Sequence, residues 1–547
     1  MLKKQIKQNN SLLQKLLLTT LLLLTGRIDT AIATDHSRPV LEPYQLAGKR
    51  LVFTNWFHVR PGHFDWQDSK GKSVFAKTDA ALDEYAASFV SYDSPHGIRL
   101  FVQPPQREIP ILATDQVWDQ WGIRLATLVH EDHRYRLWGT CNTDGRHTRN
   151  CYFESNDGIL WQKPALGLVE YENSRQNNLL PTKVGLSVFV DSAAAATERY
   201  KTAWHAWMTQ QEFRNYKDSR PLSSYALEVD APAVHVIKGA VSADGFHWNE
   251  LPDPIAFEHG DSQTIGYFDV KLNKYVLFTR SFMVGSRADN VPYPREKFHQ
   301  DISRRAIARL ESETFSRFPL SEIIIETESD MHPSDQYYTN CYTTIPSAPD
   351  HHLMFPALYN VADDQTEVVL YASYNGKNWH RVPGPPVLPR QPFGEPDGGC
   401  FFAHPNLVER DNGDWILPYD GYNVPHKYPR GAYRFEPGML VWQKGRMVGI
   451  EAPEVGAFAT VAFLAPGRQL RINAVTARAG YIKAELVYLD GTTVDGHSFA
   501  DADAIIGDQY KTLVTWKGHA DLGVDPGTPV WLRFQMKRAR IFCLDFE

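Results

Sequence analysis

Acids recur at comparable points along the chain: Asp119 in Trp118-Asp119-Gln120, Asp261 in Gly260-Asp261-Ser262-Gln263, Asp335 in Ser334-Asp335-Gln336-Tyr337, and Glu395 with Asp397 in Gly394-Glu395-Pro396-Asp397. A fifth comparable point carries Asn177-Asn178 and offers an amide instead. Carboxyls gathered in one pocket suit hydrolysis of a polyhydroxylated substrate. One ionised group serves as nucleophile or base, and one protonated group donates to the leaving oxygen. A third tunes the pair, because like charges push pKa values apart. Asp261 and Asp335, with Glu395 or Asp397, are the favoured acids. Glu395 is the favoured proton donor, since a Glu reaches further and starts from a higher pKa. Arg280, His404 and His426 form a second tier, Arg280 as partner to a carboxylate or to an anionic sugar. Trp118, Tyr337 and Tyr422 could stack on sugar faces, and Asn178 could hydrogen-bond to them. A lone loop Asp more often caps a turn; recurrence at the same place in successive units is what favours Asp261 and Asp335.

The elements that must position these groups are announced by a repeat. Ser-x-(Asp/Asn)-Gly-x-x-Trp occurs at 155–161, 242–248 and 373–379. Asp-Gly and Asn-Gly suit a type I′ turn, so each copy reads as a β-hairpin whose Trp starts the return strand. Its acids, Asp157 and Asp244, read as structural. Around the copies run five units of roughly 60 to 90 residues, each a four-strand meander, which argues for an all-β, five-bladed β-propeller. A β-sandwich is the competing architecture. In a propeller the start of each innermost strand faces a central pocket, and the repeat would join the two outer strands at the far edge.

The flanks read differently. Lys3 and Lys4, an apolar run at 16–24 and Ala31-Ile32-Ala33 lay out a signal peptide over 1–33, too short for a membrane span. The expected destination is the periplasm or beyond. Residues 34–115 read as an extension packing on the propeller, with a short helix over 78–89. The catalytic propeller is expected over 116–450, and alternating strands over 451–547 read as a jelly-roll-like β-sandwich. The net charge of −7 and the absence of a basic block argue against nucleic acid. Five cysteines lack zinc-ligand spacing. Cys141 and Cys151 flank a polar loop and could pair across it. His133, His351 and His352 form no metal triad. No cofactor is indicated, and nothing in the sequence supports a structural calcium.

The stretch at 151–164 (Cys151-Tyr152-Phe153-Glu154-Ser155-Asn156-Asp157-Gly158-Ile159-Leu160-Trp161-Gln162-Lys163-Pro164), Leu166 to Tyr171 and Asn177-Asn178 resemble five-bladed propeller proteins that are glycoside-hydrolase-like. The wider resemblance is to the invertase/levanase and arabinanase/xylosidase superfamily, over about residues 115–547. It implies an Asp, a second Asp and a Glu from the inner strands of successive blades. Asp119 falls loosely at the first position, but no Asn-Asp-Pro-Asn, Arg-Asp-Pro or Glu-Cys motif is present. The expectation is a secreted hydrolase of a plant or algal polysaccharide or oligosaccharide. The alternatives are a non-catalytic glycan-binding propeller, a phosphorylase with a cationic phosphate site near Arg280, and a sialidase-like enzyme with an arginine cluster.

Overall fold

The computed structural model describes residues 42–61, 69, 95–219, 233–282, 304–427 and 434–547. The expected signal peptide and the helix over 78–89 lie outside them. The chain divides into two units, Met1–Gln45 and Leu46–Glu547, and every described strand belongs to the second. Among the described residues strand makes up 49% and helix 4%, so the architecture is all-β.

Five antiparallel groups of strands succeed one another along the chain. Group I is Gly122–Glu131, Arg134–Asn142 and Thr148–Ser155. Group II is Val188–Val190, Tyr200–Thr209, Ala233–Ser242 and Asn249–Glu250. Group III is Ile265–Asp269, Lys274–Phe282, Arg305–Ser312 and Glu322–Ile325. Group IV is Tyr342–Ile345, Ala348–Met354, Tyr371–Ser373 and His380–Arg381. Group V is Cys400–Ala403 and Val408–Glu409, both on Trp415–Tyr422, then Phe435–Trp442. A single parallel bridge from Phe435 to Gly122 joins groups V and I.

Neighbouring groups touch in cyclic order, in or close to their opening segments. Thr127 Oγ1 donates to Leu186 O and accepts from Val188 N–H, linking I to II. A Cβ on Gly266 would lie 2.8 Å from Phe189, so II and III meet closely. Cys341 N–H donates to Gln263 Oε1, linking III to IV. Leu407 N–H donates to Thr343 Oγ1, linking IV to V, and Leu128 N–H donates to Pro405 O, linking I to V.

Asp335 does not open group IV. Asp335–Tyr337 belongs to a separate three-stranded sheet with Ala357–Asn360 and Gln365–Val368. The strand breaks where Cys341 turns to a φ of +40° and the Asn340 side chain binds Gln263 O and Phe278 O.

The repeated hairpins are not type I′ turns. That turn needs positive φ at both central residues, and here only Gly158, Gly245 and Gly376 have it, at +70°, +80° and +68°. Instead the motif Ser Oγ accepts from the Gly N–H at 2.9 Å in all three copies. The Asp or Asn Oδ1 accepts from the N–H groups two and three residues on. Side-chain oxygens thus satisfy the turn's backbone donors. Two-residue turns with both φ positive lie elsewhere, at Asp132-His133 and at Glu172-Asn173.

Each hairpin is gripped by the preceding group. Trp138 Nε1 of group I donates to Gly245 O of group II at 2.9 Å. Arg410 of group V donates to Gly158 O of group I at 2.6 Å. Tyr267 of group III lies against Gly376 of group IV. A Cβ on Gly245 would sit 2.7 Å from Trp138 Cζ2, and Trp138 is fully buried. Gly245→Ala should therefore cost about 2–4 kcal/mol, combining left-handed backbone strain with overpacking. Gly167→Ala, with φ +71° and open space around it, should cost only about 1 kcal/mol. Urea denaturation of the two variants checks this, and equal losses would refute the clamp.

The N-terminal stretch expected along the propeller is divided. Arg50–Val52 pairs with Cys543 to Asp545, and Arg99–Val102 pairs with residues 448–451. Gln106–Glu108 pairs instead with residues 439–441, on the outer edge of group V. The five described C-terminal strands, with Arg50–Val52 and Arg99–Val102, form one seven-stranded sheet, in which Leu470–Tyr488 and Pro529–Phe546 pair along most of their length. The register shifts by one residue between Asn473 and Ala474, as at a β-bulge, and by three between Thr476 and Tyr481. Cys141 and Cys151 are disulfide-bonded across the 142–150 loop.

Candidate active site

Asp261 ends the loop that enters group III. Only glycine fits before it, since a Cβ at Gly260 would lie 2.0 Å from Thr279 Oγ1. The close approach brings Asp261 onto the next residue of that strand, Arg280, which is 3% exposed and forms an ion pair with one carboxylate oxygen. His259 Nε2 lies 3.7 Å from the other oxygen. The Asp261 side chain remains 35% exposed. It is therefore a carboxylate with a cationic partner and an open face.

A row of rings leads away from it. His259 stacks on His235 with centroids 3.6 Å apart, and His235 meets Trp207 at 4.2 Å. His205 Nε2 lies 2.8 Å from His235 Nδ1. Trp207 and His235 face each other across paired strands, and Trp207 is 50% exposed. The opposite face of the same strands packs on a helix, Gln210–Ser219, through Val234, Val236 and Phe213. That helix starts with a reciprocal cap: Glu212 Oε2 accepts from Thr209 N–H at 2.6 Å, and Glu212 N–H donates to Thr209 Oγ1 at 3.2 Å.

On the other side Tyr338 receives the Arg280 guanidinium over its ring at 5.0 Å. Its hydroxyl lies 3.0 Å from His426 Nε2. His426 is enclosed by Phe402 and Tyr359 at 5.3 and 5.8 Å.

A buried polar chain anchors the segment that carries Asp261. Asp420, fully buried, accepts from Leu125 N–H at 2.7 Å and pairs with His404 Nε2 at 2.8 Å. His404 Nδ1 faces Gln263 Nε2 at 3.3 Å, and Gln263 Nε2 donates to Ala403 O at 2.6 Å. Gln263 O accepts from Asn340 Nδ2. Four groups are thus tied together two residues from Asp261, and both His404 nitrogens are engaged in the tie.

Other residues singled out from sequence are placed elsewhere. Asp119 is fully buried in an ion pair with Lys163 and accepts from Gln116 N–H; burial pushes its carboxyl up against the pull of Lys163. Trp118 donates to Asn178 Oδ1, which fixes both inside group I. Asp335 accepts from Asn360 Nδ2 at 2.8 Å. Tyr337 is core, its hydroxyl bonded to Tyr371, and Tyr422 packs on Phe435. Asp397 is 3% exposed and paired with Arg107. Glu395 is exposed on the loop before group V and makes no side-chain hydrogen bond or ion pair among the described residues. The structure therefore brings Asp261, Arg280, His404 and His426 into one connected neighbourhood, and leaves Asp119, Asp335 and Asp397 in separate ion pairs and turns. Among the described residues no group of three or more His, Cys, Asp or Glu is arranged to hold a metal ion, and no described helix is long and apolar enough to cross a membrane.

Burial holds three neutral histidines, His205, His352 and His426, at about 4. An unfolded His titrates near 6.5. The unfolded chain thus binds more protons between about pH 6.5 and 4. The stability these rings contribute is full above 6.5 and is lost as pH falls toward 4. The urea midpoint should decline across that window, and less steeply in His426→Gln. A flat midpoint would contradict the placement.

No protein-family model matches the chain, and no curated protein matches it. Solved structures do resemble it. The Bombyx mori GH32 beta-fructofuranosidase BmSUC1 is 9% identical with a TM-score of 0.36, covering 81% of this chain and 95% of its own. A thermostable family-43 glycoside hydrolase is 12% identical with a TM-score of 0.34, covering 60% and 92%. An N-acetylgalactosamine deacetylase from F. plautii, in complex with blood group B trisaccharide, is 13% identical with a TM-score of 0.35, covering 64% and 95%. The neighbours include glycoside hydrolases of the GH32 and GH43 type, which are five-bladed β-propeller families. The resemblance read from the sequence names the same group. At these TM-scores the likeness is remote.

Proposed function

We propose that the protein is an exported glycoside hydrolase acting on a plant or algal polysaccharide or its oligosaccharides. Groups I to V are read as the five blades of a propeller, with the C-terminal sheet as an appended sandwich-type domain. The observation that carries the reading is Asp261. It is a part-exposed carboxylate beside a buried arginine. The adjoining row of rings ends in exposed Trp207, a surface suited to stacking on a sugar. Asp261 is assigned the ionised role and Glu395 the proton donor, because Asp119, Asp335 and Asp397 each have a partner inside the fold. In this scheme the donor's proton goes to the glycosidic oxygen as its bond to the anomeric carbon breaks, and water supplies the new bond.

The commitment of those three acids also favours a second reading, a non-catalytic glycan-binding propeller. A reducing-sugar screen of the purified protein on a polysaccharide panel decides, repeated with Asp261→Asn and Glu395→Gln. Sugar release that either variant leaves intact would sink the assignment of that residue. Binding without release by the wild type would favour the second reading.

A further inference from the structure

Six described arginines are less than a tenth exposed: Arg50, Arg280, Arg305, Arg309, Arg410 and Arg446. Five of them hold a carboxylate: Arg50 with Glu409 and Asp545, Arg280 with Asp261, Arg309 with Glu311, Arg410 with Glu108, and Arg446 with Asp508. Arg305 holds none among the described residues. Its Nη1 donates to the neutral Gln336 Oε1 at 2.6 Å, and its Nε has no acceptor among the described residues. Burial lowers its pKa, yet a guanidinium keeps its proton in proteins. An uncompensated buried cation is costly and calls for an anion.

The position of Arg305 says where that anion would come from. Arg305 pairs across the sheet with Phe282, two residues from Arg280 and on the same face. The Arg305 and Arg280 guanidiniums lie over the ring of Tyr338 at 5.2 and 5.0 Å. Arg280 is matched by Asp261, so the described neighbourhood retains one unmatched positive charge beside the exposed carboxylate. A guanidinium fork suits the paired oxygens of a carboxylate or a sulfate ester.

Building on the glycan reading of this site, we propose that Arg305 binds an anionic substituent of the sugar, so that the substrate class is an acidic polysaccharide. The substituent is a uronate carboxylate or a sulfate ester.

The test uses the full chain and two matched pairs of ligands: oligogalacturonate with its methyl ester, and a sulfated oligogalactan with its desulfated form. Wild type should bind one anionic member at least tenfold more tightly than its neutral counterpart. Which pair shows the preference identifies the substituent. Arg305→Met should lose at least tenfold on the anionic ligand and less than twofold on the neutral one, and Arg305→Lys should recover part of the loss. The Tm of Arg305→Met should equal or exceed that of wild type, because a buried charge with no carboxylate partner among the described residues has been removed. If that variant does not fold, the comparison of matched ligands on wild type decides alone. Equal or tighter binding of neutral ligands, a preference that survives in Arg305→Met, no binding to any of the four, or phosphate-dependent cleavage of a neutral glycan would each overturn the proposal. Reducing-sugar release is measured on the same ligands. Hydrolysis confined to neutral glycans keeps the hydrolase reading and overturns this one. Arg305-dependent anionic binding without hydrolysis does the reverse.

Discussion

Asp261→Asn should lower kcat/KM for sugar release by at least a thousandfold, equivalent to about 4 kcal/mol of transition-state stabilisation. The amide keeps the size and most of the polar contacts of the carboxylate, but it cannot carry the charge that stabilises a developing oxocarbenium ion or attacks the sugar. The substitution also leaves Arg280 without its carboxylate, so some stability is lost. Because Asp261 is 35% exposed, that loss should be well short of the 3–5 kcal/mol range of a broken buried pair. Initial rates and Tm must be read together. A variant that melts near wild type yet releases no sugar supports the role. Rates within a few-fold of wild type would remove Asp261 from the chemistry. Retained affinity in affinity electrophoresis would show that the ring-lined surface still binds.

The largest effect on stability is expected at Asp420. Replacing it with Leu removes the acceptor of Leu125 N–H and of His404 Nε2 in a place with no exposure. Two buried donors lose their partner at about 1–3 kcal/mol each, so the total should be about 3–5 kcal/mol. The damage should not stay local, because His404 faces Gln263, and Gln263 ties groups III, IV and V beside Asp261. Sugar release should therefore fall in the surviving folded fraction too. Asp420→Asn keeps one acceptor and should cost roughly half as much. The check is urea denaturation of both variants alongside wild type. Equal stability for Asp420→Leu and wild type would refute the keystone role.

Much of the fold is legible in the sequence because it is written in local signals. The three Ser-x-(Asp/Asn)-Gly-x-x-Trp copies mark hairpins at 155, 242 and 373, and short strands recur between them. The turn chemistry is not legible in the same way: Asp157 and Asp244 cap backbone N–H groups through their side chains and do not themselves enter the left-handed region. Sequence spacing alone cannot distinguish the two geometries, since both want Asp-Gly. The helix at 210 is signalled by Thr209-Gln210-Gln211-Glu212, a capping box hidden amid strand patterns. The site is less legible. Asp261 and Arg280 meet because they are adjacent across one meander. Asp119, Asp335 and Asp397 look alike in sequence, yet each is claimed by a partner 25 to 290 residues away. Trp207 and His235 meet through strand pairing and His259 joins them from the loop before group III, a convergence no spacing rule reveals. Arg305 cannot be singled out from sequence at all, because what distinguishes it is the lack of a carboxylate partner among the described residues.

The three N-terminal strands impose an order in time. Residues 50–52 wait for 543–545, residues 99–102 for 448–451, and residues 106–108 for 439–441. At typical translation rates of about 5–20 residues per second, roughly a minute separates the making of the first strand from the arrival of its partner. Throughout that interval the nascent chain carries strand edges whose native partners have yet to be made. Group V can close only once residues 435–442 have emerged, and the C-terminal sheet only once residues 529–546 have. Closure of that sheet is thus a late, non-local assembly, in which a holding chaperone would have time to act.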